Sequence, residues 1–170
     1  PQFDRGPKPI HPQVVAMTDY FAGQPPFPLT VLFQAEKYQN VLASVVSAAN
    51  KRQLHLAESE KYAHVTYFFN GTHEQLFPGE ERQLIPSPEV ANYDQSPEMS
   101  AVKLGQLASA AIRSERYELI AVNFANADMI GHTGNFQQTL RGVETIDRAV
   151  GEIRLACEET STVLIFTADH

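Results

Sequence analysis

Residues 117–124, YELIAVNF, and residues 162–167, TVLIFT, set the fold class. Each is a short, nearly unbroken apolar run, the pattern of a strand covered on both faces rather than one. Between them Leu140, Val143, Ile146, Ala149, Val150 and Ile153 recur at helical spacing, predicting a helix from Phe136 to about Cys157 with that face inward. Strand, long helix and strand make a parallel βαβ unit, because parallel neighbours need a crossover connection. The expected architecture is therefore α/β, a mostly parallel sheet flanked by helices.

Working outward, Val41, Leu42, Val45, Val46 and Ala49 repeat as a helix, with Asn40 as its candidate N-cap. Gln53–Ala57 reads as a short strand. Ser59 is placed to cap a helix through Tyr62, Val65, Thr66 and Phe69, which Gly71 ends. A loop punctuated by Pro78, Gly79, Pro86 and Pro88 follows. Ser96-Pro97-Glu98 then starts a helix whose apolar face uses Val102, Leu107, Ala110 and Ala111. The first 30 or so residues differ: Pro1, Pro7, Pro9, Pro12, Pro25, Pro26 and Pro28 break them into extended pieces. Within them Val14–Phe21 reads as one strand and Gly23–Pro28 as a linker or hinge. A lone strand is no domain, so it should belong to a sheet whose other strands lie elsewhere.

Composition excludes several classes. With 13 Lys and Arg against 20 Asp and Glu, the 170-residue chain carries a net charge of -7, and no basic run suggests nucleic acid. No apolar run approaches the roughly 20 residues of a membrane span. Cys157 is the single cysteine and falls in the long helical pattern, so it reads as a small core residue and no internal disulfide can form. That usage is compatible with a reducing cytoplasm.

Ligands of open parallel sheets bind beyond the carboxyl ends of the strands. There each of the two apolar runs carries an Asp and a His: Asp128 and His132 after Phe124, and Asp169 and His170 after Phe166. Carboxylate oxygen with neutral imidazole nitrogen suits Mn, Zn or Fe(II) better than Ca or Mg. Two such pairs at one rim could hold two cations about 3.5–4 Å apart, a frequent phosphoryl-transfer arrangement. The residues alone equally allow capping and solvated loop roles for each pair. No GxSxG elbow accompanies them, which weakens a hydrolase triad. His11, His55, His64 and His73 read as packing or loop residues. Lys61 lies just beyond the strand Gln53–Ala57 at the same rim. It reads either as a mobile charge for a phosphate or as an exposed helix lysine beside Glu58.

Four segments go further. AESEKYAHVTYFFNG (57–71), LIPSPEVANYDQSPEMSA (84–101), NFANADMIGHTG (123–134) and the terminal TADH (167–170) resemble the cofactor-independent, or 2,3-bisphosphoglycerate-independent, phosphoglycerate mutases of the alkaline phosphatase superfamily. FDRGP (3–7) and the strand after it are similar to the segment leading out of that family's inserted domain. The resemblance implies an incomplete alkaline phosphatase-like fold. Residues 1–35 would be the end of an inserted transferase domain with its linker, and 36–170 part of the metal-binding phosphatase-like domain. It implies interconversion of 3- and 2-phosphoglycerate in glycolysis through a phosphoserine, with two divalent metals, usually manganese. Asp128 and His132 would ligate one metal, Asp169 and His170 the other, and Lys61 would contact the substrate phosphate.

The family's serine nucleophile, its first metal-binding Asp and its arginine-rich glycerate site belong upstream of this sequence, so the 170 residues alone are expected to be inactive. Ser59 stands where the family usually has Thr, and Thr72 and His73 replace a glycine-containing turn. The intact enzyme is expected to be a cytoplasmic monomer acting on a small phosphoglycerate, without nucleic-acid or membrane partners. A phosphatase or phosphopentomutase of the same superfamily, or a non-catalytic module, remain the alternatives.

Overall fold

The computed structural model describes residues 12–21, 25, 27–34 and 36–168. The chain divides into two compact units, Pro1–Lys37 and Tyr38–His170. In the first, β1 (Val14–Ala16) pairs in parallel with β2 (Leu29–Val31). The expected strand over Val14–Phe21 is thus shorter, and its partner lies within the chain rather than elsewhere. Asp19 helps to end it: its Oδ1 accepts the Phe21 amide at 3.0 Å, a local turn that competes with a ladder. Half of the proposed hinge, Gly23, Gln24 and Pro26, lies outside the described residues.

The second unit holds α1 (Leu42–Ala48), β3 (Gln53–Glu58), β4 (Glu80–Ile85), α2 (Ala101–Arg113), β5 (Leu119–Asn123), α3 (Asn126–Gly131) and α4 (Phe136–Thr160). Its sheet has the order β4-β3-β5, and both pairings are parallel. The α/β expectation with a parallel sheet and flanking helices therefore holds. β3 is buried along its whole length, as a central strand should be. Leu54 and Leu56 join Leu104, Ala108 and Ile112 of α2 and Ile153, Ala156 and Cys157 of α4 in one core. Cys157 is the small buried residue its sequence position suggested, and burial pushes its thiol pKa up.

Several local expectations give way. β4 occupies what reads as loop, because its sequence, EERQLI, is mostly polar. Each charge finds a partner in the fold. Glu80 is buried between the Arg82 guanidinium (Nε to Oε1, 2.5 Å), the Asn70 amide (2.8 Å) and the Phe77 backbone amide (2.9 Å). Glu81 meets Arg52 and accepts from the Tyr117 hydroxyl at 2.6 Å. The helix after β3 starts as a single tight turn, Ser59–Lys61, followed by a wide turn, His64–Phe68, so Ser59 lies inside it rather than capping it. Gly71 does end it, at φ +66°. Asn40 caps nothing: the residue before α1 is Val41, and no side chain caps it.

In α2 the buried face is Ala101, Leu104, Gly105, Ala108, Ser109 and Ile112, while Val102 and Ala110 are exposed. The helix begins at Ala101 rather than Pro97, and its phase is fixed by Gly105, where a Cβ would lie 2.9 Å from Ala149 Cβ. In α4 the buried face is Thr145, Ala149, Ile153, Ala156 and Cys157, with Gly142 packed against Ile130, Pro97 and Asn126, while Leu140 and Val143 are exposed. Residues 162–167 form no strand. Val163, Ile165 and Phe166 are 82%, 84% and 70% exposed. An apolar run becomes a strand only beside a partner that completes its ladder, and among the described residues none does so. β5 is correspondingly half-buried rather than buried.

Candidate metal and phosphate centre

Because β3, β4 and β5 run the same way, their carboxyl ends share one rim. β3 delivers Lys61 there through the turn Ser59–Lys61. β5 delivers Asp128, in α3, and His132, the residue that caps α3 at its C-terminal end. One helical turn separates Asp128 from His132, so both project from the same face of α3. His132 Nε2 lies 3.0 Å from Asp128 Oδ1, and Lys61 Nζ donates to Asp128 Oδ2. The lysine and aspartate side chains are only 9% and 17% exposed, whereas His132 is 77% exposed. Lys61 is therefore not a solvated lysine beside Glu58; its ammonium is held at the rim by the aspartate singled out from the sequence.

Glu58 has other partners. It is fully buried, accepts from Ser87 Oγ at 2.9 Å and from the Ser100 amide at 3.4 Å, and burial raises its pKa. Ser87 also donates its backbone amide to Ser59 Oγ (3.3 Å) and accepts from the Glu60 amide (3.4 Å). The Tyr93 hydroxyl donates to Glu60 Oε1 at 2.5 Å, and that bond pushes its pKa up to about 12. On the other arm, Asn135 caps α4 by accepting the Gln138 amide at 3.3 Å and donates to Asp94 Oδ2 at 3.4 Å. Ser87, Tyr93 and Asp94 fall in a segment the sequence reading treats as connecting loop. Asn135 carried a legible signal, an Asn directly before a helix.

A carboxylate and an imidazole side by side, the imidazole open to solvent, offer the oxygen and nitrogen donors that a divalent transition metal takes. Those donors fit such an ion. Two are fewer than a complete set, and no group of three or more His, Cys, Asp and Glu gathers among the described residues. Asp169 and His170 lie outside them. His55 and His64 keep structural surroundings. His55 is fully buried, with Nε2 3.1 Å from Gln53 Oε1, and burial lowers its pKa. His73 stacks near Phe77, and His11 is outside the described residues.

The family model described as the metalloenzyme superfamily matches residues 17–170. The chain belongs to the metalloenzyme superfamily. Within it, this metalloenzyme chain is 49% identical over 92% of its length to the 2,3-bisphosphoglycerate-independent phosphoglycerate mutase of Synechococcus sp. (strain JA-3-3Ab), covering 29% of that protein. It is 45% identical over 99% of its length to 2,3-bisphosphoglycerate-independent phosphoglycerate mutase 1 of Methanosarcina barkeri (strain Fusaro / DSM 804), covering 32% of it. The chain thus spans about a third of the length of the curated relatives it matches. Among solved structures, the phosphoglycerate mutase of Leishmania mexicana, determined at low cobalt concentration, superposes with a TM-score of 0.72 at 28% identity, over 77% of this chain and 24% of that one. Among the described residues no helix is long and apolar enough to cross a membrane.

Proposed function

We propose that the protein containing this metalloenzyme chain interconverts 3-phosphoglycerate and 2-phosphoglycerate through a phosphoserine intermediate, and that this chain contributes part of its phosphate- and metal-binding apparatus. The observation that carries the proposal is the meeting of Lys61, Asp128 and His132 at the carboxyl rim of a parallel sheet. The relatives named above support the choice of reaction over other chemistry on the same fold.

Asp128 and His132 would hold one divalent cation, and Asp169 with His170 a second; manganese suits their mixed oxygen and nitrogen donors. Such cations, when bound, supply charge neutralisation for the transferring phosphoryl group. The residues of the chain do the rest. Lys61 carries a positive charge to the same rim, where its ammonium can donate to a phosphate oxygen. Its nearly buried stem keeps that charge from wandering into solvent. His132 is the member most open to an arriving ligand. The serine nucleophile would belong to the remainder of the protein, so the 170 residues alone should show no turnover. Residues 1–35 would close an inserted domain and 36–170 form part of the metal-binding one. A monomeric state and a cytoplasmic location belong to the same proposal.

The test is an assay of the intact protein on 3-phosphoglycerate and on ribose phosphates, before and after chelation. The expected result is 2-phosphoglycerate formation that chelator abolishes and manganese restores. Turnover of pentose phosphates alone would replace the mutase reading with the phosphopentomutase one.

A further inference from the structure

Segment 86–100 joins β4 to α2 and leaves the sheet at the rim where Lys61, Asp128 and His132 meet. Its hydrogen bonds run in two directions. Toward the Lys61 turn, Ser87 bonds Glu58, Ser59 and Glu60, Ser100 donates its amide to Glu58, and Tyr93 donates its hydroxyl to Glu60, the residue immediately before Lys61. Toward the Asp128 segment, Asp94 accepts from Asn135, and the Pro97 carbonyl accepts at 2.7 Å from Asn126, a fully buried side chain two residues before Asp128. The short turn Tyr93–Gln95 packs on α3 itself. The segment closes on itself where Ser100 Oγ donates to the Pro86 carbonyl at 2.8 Å.

We propose that segment 86–100 is a strap that sets the spacing of the two arms of the site, with Tyr93 and Asp94 as positioning residues for Lys61 and for the Asp128–His132 segment respectively. The inference rests on the mutase reading and goes beyond it, since neither residue need touch substrate or metal. The physical need is plain. Lys61 ends the tight first turn, Ser59–Lys61, of a helical run that changes pitch directly after it to the wide turn His64–Phe68, so its hydrogen bonding is irregular at the lysine. Asp128 and His132 sit on a six-residue helix that has little hydrogen bonding of its own. A charged group on such an element is held to the few tenths of an ångström that phosphoryl transfer demands far better when something outside braces it. Consecutive residues of one segment reach both. A hydroxyl donating to a carboxylate is among the stronger neutral-to-ion bonds, and the phenol keeps its proton throughout the neutral range.

The experiment is a double-mutant cycle in the intact protein, using Tyr93→Phe, Lys61→Arg and the pair, with Asp94→Ala alongside. Tyr93→Phe should lower kcat about tenfold while leaving the manganese dissociation constant within about twofold, and on the Lys61→Arg background its effect should shrink below about twofold. Asp94→Ala releases Asn135, three residues after His132, and should weaken manganese binding about fivefold; unchanged binding overturns the role of Asp94. Melting temperatures within about 3 °C of wild type would set these effects apart from unfolding. A Tyr93→Phe loss of equal size on both backgrounds, or no loss on either, overturns the strap. If wild type turns over no phosphoglycerate, the mutase reading fails. Amide exchange across residues 59–62 then decides the strap alone: about fivefold faster in Tyr93→Phe sustains it, and unchanged exchange overturns it.

Discussion

Lys61 and Asp128 are far apart in sequence and in contact at the rim, each mostly shielded from water. Removing a charged group from water is costly, and its partner offsets that cost only with good geometry. Neither residue is needed to hold the core together, which is built from Leu54, Leu56, Leu104 and Ile153. A paired charge placed outside the core, where parallel strands end, fits the proposed site. Glu58, three residues before Lys61, shows the same rim from beneath. Burial raises its pKa, so the folded chain keeps its proton after the unfolded chain has released it. Its stabilising contribution is whole below the ordinary carboxylate value and is lost as pH rises through the folded value. Glu58→Gln keeps an acceptor for Ser87 and removes the titration. Melting curves from pH 4 to pH 7 should therefore show the variant gaining on wild type as pH rises. A constant difference would mean that Glu58 titrates alike in the folded and unfolded chains, with no shift on burial. Asp128, His132 and Lys61 were legible in sequence because each follows an apolar run. Tyr93, Asp94 and Glu58 were not, because their roles come from partners that only folding brings near.

At the scale of elements, periodicity found β3, β5, α1, α2 and α4 but not the phase of the helices. The reason is visible where α2 crosses α4. Gly105 lies against Ala149, so the contact is made by small residues, whereas a hydrophobicity pattern weights large ones such as Val102 and Leu140. Gly105→Ala would place a methyl 2.9 Å from Ala149 Cβ and 3.2 Å from its Cα, with backbone behind it that cannot swing aside. The helices would have to separate. We expect a loss of ~1–3 kcal/mol, read as a melting temperature lower by about 2–10 °C. The better helix propensity of alanine works in the opposite direction, so an unchanged or higher melting temperature would show that the crossing is looser than this packing implies. β4 escaped detection for the opposite reason: its polar side chains are satisfied in place by Arg52, Asn70 and Tyr117, so a strand there needs no apolar stripe.

At the scale of the whole molecule, Tyr38–His170 carries a three-stranded parallel sheet together with apolar side chains that no described strand covers. Residues 162–166 illustrate this. TVLIF has the composition of a central strand, yet Val163 and Ile165 are more than four-fifths exposed. No strand among the described residues pairs with it, and the chain spans about a third of its relatives' length. The fold class was therefore readable while the extent of the sheet was not, since pairing depends on neighbours that a local pattern does not name. The same holds for the proposed second ligand pair, Asp169 and His170, which directly follows this stretch. The most direct test of the account is an anomalous diffraction map of the intact protein crystallised with manganese. The account predicts one peak coordinated by Asp128 and His132 and a neighbouring peak coordinated by Asp169 and His170, with Lys61 at the same rim. Manganese bound elsewhere, or the two pairs on opposite sides of the sheet, would contradict it.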